Sequence, residues 1–398
     1  MRSSFSQRVQ QMNFYCMLLL AFFLPLSTSV ISVLACLLVL GWVIEGRFAE
    51  KLTEVRKNGV CLAVLAYIVL MIAGLLWSDD IQSGLAFIAK RWKFMLMPLF
   101  MTLVVYSKRR WYIGAFLVGM TVAMSITYLA WFDLIHYADV TPQHITKKTF
   151  HVVYNPLLAI AIYMLAHELF WGKTRAVLKW GGCVLLGVMV FNMFITEGRA
   201  GQLVFFVLIV LFLLQKFRKN LIVAVCGTAV LLPLLFYAGY SWSPQFKSRV
   251  DLARNEIAQF EQNPNTSVGL RLLYWRNSYE IMKAYPLLGV GTGDFDAEYS
   301  KINQQRSPDI SPTDNPHNQY FLVGTRFGGI GLVVMLSLFF LQFRQGRMQK
   351  DGLQRLRYAF PVFFLVIMLT ESYLVVYQTG FFFSLFSAVL FKKAPDNC

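Results

Sequence analysis

The chain has 398 residues, of which 57% are apolar, 16% aromatic and only 15% charged. Soluble domains carry about a quarter charged residues, and long uncharged runs recur along this sequence, so it reads as an all-α polytopic membrane protein. A water-soluble enzyme, a disordered chain and a repeat protein are excluded; the formal net charge of +16, which would otherwise suggest nucleic acid, has a cause in topology.

A helix needs about 20 apolar residues to cross the hydrocarbon core. In chain order the candidate spans are 14–24, 27–44, 59–77, 92–106, 111–133, 151–171, 177–196, 200–215, 220–240, 319–343, 358–373 and 377–391, about twelve in all. The first two meet at Leu24-Pro25, and are either one overlong helix or a hairpin of two short ones. With the N-terminus inside and twelve crossings, the inner segments hold 22 of the 37 Lys and Arg and six of the 21 Asp and Glu. That balance of +16, running from Arg2 and Arg8 through Lys173 to Lys392, Lys393 and Asp396, leaves the remainder of the chain neutral. The positive-inside rule then puts both termini in the cytoplasm. Nucleic acid drops out as a partner.

Cys16, Cys36, Cys61, Cys183 and Cys226 lie within spans and Cys398 at the cytoplasmic end, so no disulfide framework is implied. The first apolar stretch lacks a small-residue cleavage site and continues into further spans, as an anchor does. The whole chain reads as a single integral membrane domain. One outer loop, 241–318 between spans 9 and 10, breaks the rhythm with 78 polar, proline-rich residues. Helical periodicity appears at 245–262 and again at 267–284, which ends before Tyr285-Pro286. The loop is too small for a separate domain and is expected to lie on the membrane over a cavity.

Polar residues are expensive at the outer boundary, and three groups stand out there. Thr196-Glu197-Gly198-Arg199-Ala200-Gly201 joins two spans, and Arg199 opens a helix where a guanidinium and a helix N-terminus together favour an anion. The plainer reading is a snorkelling arginine, or a pair with Glu197 that fixes the turn. In Gly269-Leu270-Arg271-Leu272-Leu273-Tyr274-Trp275-Arg276, Arg271 falls among apolar positions, which points it into a cavity; a solvated or phospholipid-bound arginine is the alternative, and suits Arg276 better. Asn315-Pro316-His317-Asn318-Gln319-Tyr320 precedes a span. His317 can act as a base near neutral pH, or simply hydrogen-bond the helix start. His136, His144 and His151 lie in a shorter outer loop, and His167 near the inner end of a span.

Weaker patterns accompany these. Asp294-Phe295-Asp296 has acid-x-acid spacing, but nucleotide sugars are not expected outside the inner membrane; Asp79-Asp80 reads as an outer flank more readily than as a metal site. Gly289-Val290-Gly291-Thr292-Gly293 reads as a turn, and Gly324 with Gly328 as a small-residue packing face. Lys90-Arg91-Trp92-Lys93 places positive charge on the outer side, which a pyrophosphate or an anionic headgroup would explain. There is no Cys/His metal spacing.

Taken in order, Glu197-Gly198-Arg199-Ala200-Gly201, Gly269-Leu270-Arg271 with Trp275, Pro286-Leu287-Leu288-Gly289-Val290-Gly291 and His317-Asn318-Gln319-Tyr320 resemble the O-antigen ligase family. The resemblance extends over roughly residues 10–393 in topology and is most specific over 190–332. It implies an inverting, metal-independent glycosyltransferase with the GT-C type of fold and no cofactor. Such an enzyme moves a polysaccharide from undecaprenyl pyrophosphate to a hydroxyl of lipid A–core, on the periplasmic face of the bacterial inner membrane. By the same resemblance Arg199 and Arg271 contact the pyrophosphate and His317 is the catalytic base, while Lys90 and Lys93 are further donor contacts. Expected partners are the lipid-linked donor, the lipid A–core acceptor and membrane lipids, with the protein a monomer or weak oligomer. O-antigen polymerases and protein O-oligosaccharyltransferases share these motifs and differ in acceptor. A lipid-linked glycan transporter also suits twelve spans, but would place charges near the midplane in paired halves, which this sequence lacks.

Overall fold

The computed structural model describes residues 4–136, 140–142, 144–146, 151–172 and 175–394. Arg2, Lys173, Asp396 and Cys398 lie outside the described residues. Among those described, the structure is helical, without strands. The α-helices in chain order are α1 (Ser4–Phe23), α2 (Thr28–Glu45), α3 (Phe48–Lys57), α4 (Gly59–Ala73), α5 (Ile81–Ala89) and α6 (Leu96–Leu103). There follow α7 (Arg109–Trp131), α8 (His151–Trp171), α9 (Ala176–Ile195), α10 (Arg199–Lys216) and α11 (Leu221–Trp242). The rest are α12 (Pro244–Ala258), α13 (Ser267–Ala284), α14 (Phe295–Arg306), α15 (Gln319–Met348), α16 (Gln354–Ile367) and α17 (Tyr377–Phe391).

Among the described residues, eight helical segments are long and apolar enough to cross a membrane, and Trp92–Leu103 and Tyr377–Phe391 are shorter apolar helices. The protein is an all-α polytopic membrane protein. All twelve expected stretches are helical, but fewer than twelve are full-length apolar spans. The early turns of α1 and α16 carry Gln7, Arg8, Gln354 and Arg355, and the stretch expected to run to residue 373 stops at Ile367. The ambiguity at Pro25 resolves as a hairpin: α1 ends at Phe23, and the Ser27 hydroxyl caps α2 by accepting from Val30 N–H at 3.4 Å. In the long loop the second expected helix has the expected bounds; the first is shorter, ending at Ala258. Three further helices, α3, α5 and α14, are only 10, 9 and 12 residues long, too short for a sequence period to stand out.

The described chain forms two compact units. The first comprises Met1–Gly46, Leu103–Asp251 and Gly346–Ile367. Its centre is α8, whose membrane-length stretch is 89% buried. Apolar burial gives little drive between helices in lipid, so small-residue contacts and interhelical hydrogen bonds matter more. Both occur here. Tyr154 Oη donates to Asn192 Oδ1 at 2.6 Å, Asn192 Nδ2 to Thr127 Oγ1 at 2.9 Å, and Asn155 Nδ2 to Thr196 Oγ1 at 2.8 Å. At one end of this unit, Asp351 accepts from Arg357 and Tyr106 and pairs with Arg109 at 2.8 Å, joining the starts of α7 and α16.

The second unit comprises Arg47–Thr102, Leu252–Gln345 and Met368–Cys398. Its organising feature is a break inside α15 at Gly328, where φ is +59°. The break releases carbonyls that the 286–291 segment takes up: Val290 N–H donates to Thr325 O and Gly291 N–H to Arg326 O, both at 2.9 Å. In return Gly329 N–H donates to Pro286 O at 2.8 Å. Gly289 and Gly291 also have positive φ, so the glycine-rich stretch is a turn, as its sequence suggested. The break means that Gly324 and Gly328 do not share one continuous helix face, although both admit close neighbours. A Cβ would lie 2.5 Å from Met282 at the first and 2.3 Å from the Leu287 backbone at the second. Gly328→Ala combines left-handed strain with that clash and is expected to cost about 2–4 kcal/mol. A lowered melting temperature in detergent would show it; an unchanged one would refute this account of the break.

Candidate active site

The second unit builds its site from the residues ahead of α15. Asn318 caps that helix, its Oδ1 accepting from Tyr320 N–H at 2.9 Å and Phe321 N–H at 3.3 Å. Its amide nitrogen donates to Leu369 O at 2.9 Å, while Gln319 Oε1 accepts from Leu374 N–H at 3.2 Å. The Asn-Gln pair thus fastens the non-helical 368–376 connection beside the histidine. Trp275 on α13 donates its indole N–H to Pro316 O at 3.0 Å, and Tyr274 stacks near-parallel to the His317 ring, with centroids 6.0 Å apart.

His317 sits in the left-handed region at φ +50°, uncommon for a residue other than glycine. Its N–H donates to Asn315 Oδ1 at 3.1 Å. Its Nδ1 lies 2.6 Å from Glu371 Oε2; the histidine side chain is 37% exposed and the glutamate 9%. The other Glu371 oxygen accepts from Asn315 Nδ2 at 3.2 Å and from Ser372 N–H at 2.8 Å. Burial pushes the Glu371 carboxyl up, and the hydrogen bond to His317, with the charge that ring carries when protonated, opposes it. With the Ser372 N–H and the charge of Arg271, these hold the carboxyl below its ordinary value. A carboxylate on Nδ1 selects the tautomer that leaves Nε2 with a lone pair.

Arg271 lies one helical turn before Tyr274 and Trp275 on α13, and its charge reaches Glu371. Arg276, by contrast, is exposed beside Glu261 at 3.9 Å, as its sequence suggested. Lys93 is buried, with Nζ donating to Val375 O at 2.7 Å and lying over the Tyr377 ring, so its ammonium braces the connection that carries Glu371. Lys90 is exposed, and its charge reaches Asp296.

A separate cavity of about 980 Å³ opens between the end of α4, the 286–290 turn and α14, with Trp77, Asp79, Asp80, Tyr285 and Glu298 in its walls. Asp294 there is architectural: its oxygens accept from Asp79 N–H and Asp80 N–H, both at 2.8 Å. Asp296 lies 3.5 Å from Arg326. Among the described residues, no three His, Cys, Asp or Glu side chains are grouped to hold a metal ion.

In the first unit Arg199 begins α10 after Gly198, half-buried, with its Nε and Nη2 atoms shielded. Glu197 turns away from the sequence-local pairing and takes Arg249 on α12, with His144 Nδ1 3.4 Å from its other oxygen. Gln202 Nε2 donates to Met193 O at 3.2 Å and Thr196 O at 3.0 Å, closing the turn. Gly201 packs directly on α8, since a Cβ there would lie 2.3 Å from Asn155.

Residues 184–336 match the family model described as O-antigen ligase. That segment belongs to the O-antigen ligase family. No curated protein matches the chain. An O-antigen ligase domain in a polytopic membrane protein makes this a membrane glycosyl-transferring enzyme of the ligase and polymerase kind. Arg199, Arg271 and His317 fall within the O-antigen ligase match, whereas Lys90, Lys93 and Glu371 fall outside it. Sequence reasoning missed Glu371. Its signal was there: a carboxylate in Thr370-Glu371-Ser372, a short polar interruption between two apolar helices.

Proposed function

We propose that this protein transfers a polysaccharide from undecaprenyl pyrophosphate to a hydroxyl of lipid A–core, completing lipopolysaccharide with inversion and without a metal. The reaction takes place on the periplasmic face of the inner membrane, with both termini cytoplasmic, on a GT-C-type framework. The observation that carries the reading is His317, anchored through Nδ1 to a buried carboxylate and half-exposed, with Arg271 one helical turn before the Tyr274 that stacks on its ring. The acceptor hydroxyl attacks the anomeric carbon, its proton passes to Nε2 of His317, and the bond to the pyrophosphate oxygen breaks from the opposite side. The electron pair stays on that oxygen, an acidic leaving group that needs no general acid. Arg271 stabilises the charge growing there, and the family resemblance gives Arg199 the same role.

The test is reconstitution in vesicles with a defined lipid-linked glycan, with and without lipid A–core. Glycosylated lipid A–core is the expected product, in undiminished yield in EDTA, since Asp294 and Asp296 are engaged by backbone amides and Arg326. A lengthened lipid-linked polymer in the absence of lipid A–core would make the protein a polymerase. Translocation without transfer would make it a transporter, and activity restored by Mg²⁺ after EDTA would bring Asp79 and Asp80 forward.

A further inference from the structure

We infer that Glu371 is the positioning residue for His317, fixing the imidazole with Nε2 toward the acceptor hydroxyl and stabilising the imidazolium formed on proton uptake. The inference rests on the proposed function and adds to it a residue that lies outside the O-antigen ligase match. Three features carry it. First, the carboxylate is held before it meets the ring: Asn315 Nδ2 and Ser372 N–H occupy Oε1, which leaves Oε2 for Nδ1 at 2.6 Å. Ser372 Oγ in turn donates to Asn315 Oδ1 at 2.8 Å, so the holder is itself held. Second, the backbone bends to make the contact, with His317 at φ +50°. Third, a neutral group would cap or hydrogen-bond an imidazole equally well. A buried carboxylate is costly unless its charge is used. Opposing an imidazolium as it forms is such a use, the role a carboxylate plays behind histidine in acyl-transfer triads.

Glu371→Gln keeps the size and hydrogen-bonding groups and removes the charge. In the reconstituted assay it is expected to lower kcat by about a hundredfold or more. KM for the lipid-linked glycan should stay within about twofold, because the ground-state contacts of the donor are untouched. In the His317→Ala background the same substitution should cost little further, since both residues serve one proton transfer. Full activity of Glu371→Gln overturns the inference, as does a loss that multiplies onto that of His317→Ala. A raised KM with unchanged kcat also overturns it, and makes Glu371 a counterion for Arg271 instead. Should Glu371→Gln fail to accumulate in membranes, Glu371→Asp carries the same cycle, keeping the charge but withdrawing it from Nδ1. A partial kcat loss that vanishes in the His317→Ala background supports the inference, and an equal loss in both backgrounds refutes it. An inactive wild type, or a fully active His317→Ala protein, would instead sink the proposed function, so the two failures are distinguishable.

Discussion

Replacing His317 by alanine is expected to cut glycan transfer by about 10²–10⁴-fold while leaving binding of the lipid-linked donor in place. The sharper variant is His317→Asn. Asparagine tolerates the left-handed backbone at φ +50° better than alanine does, and its side chain can still hydrogen-bond toward Glu371. It offers no base. If His317 only organises the approach to α15, the asparagine protein should be active; if it accepts the proton, the asparagine protein should be as slow as the alanine one. Rates of transfer measured beside donor retention in the same vesicles separate these outcomes. An active, normally expressed His317→Asn protein would remove the histidine from the mechanism.

Arg271→Ala is expected to weaken donor use and transfer together, by about 3 kcal/mol or on the order of a hundredfold in rate. Lysine should rescue poorly, because it keeps the charge but loses the planar fork that grips two phosphate oxygens. The same pair of substitutions at Arg199 should give the same pattern. Losses at Arg271 and His317 should fall short of multiplying, since both act on one transition state. Unimpaired transfer by Arg271→Ala, or full rescue by Arg271→Lys, would reduce the residue to a diffuse countercharge near Glu371. Lys93 makes a useful contrast. Its ammonium is spent on Val375 O and the Tyr377 ring, so its loss bears on the 368–376 connection before any phosphate.

The helical class and the candidate crossings are legible in the sequence, because apolar length is a local property; at Pro25 the sequence allows either one helix or a hairpin, and only the fold decides for the hairpin. The sequence also singled out Arg199, Arg271 and His317, since charge at a membrane boundary is conspicuous in one dimension. What Glu371 does was decided only by tertiary structure. It lies 54 residues from His317, and nothing local says that Asn318 and Gln319 will tie the two segments together. Glu197 shows the converse: its nearest arginine in sequence is Arg199, yet the fold gives it Arg249 on a later helix. Gly328 reads as one half of a small-residue face, and becomes a helix break only because the 286–291 turn supplies partners for the carbonyls it exposes. In each case the deciding partner is distant in sequence, and an unpaired buried polar group costs more than any local propensity can offset.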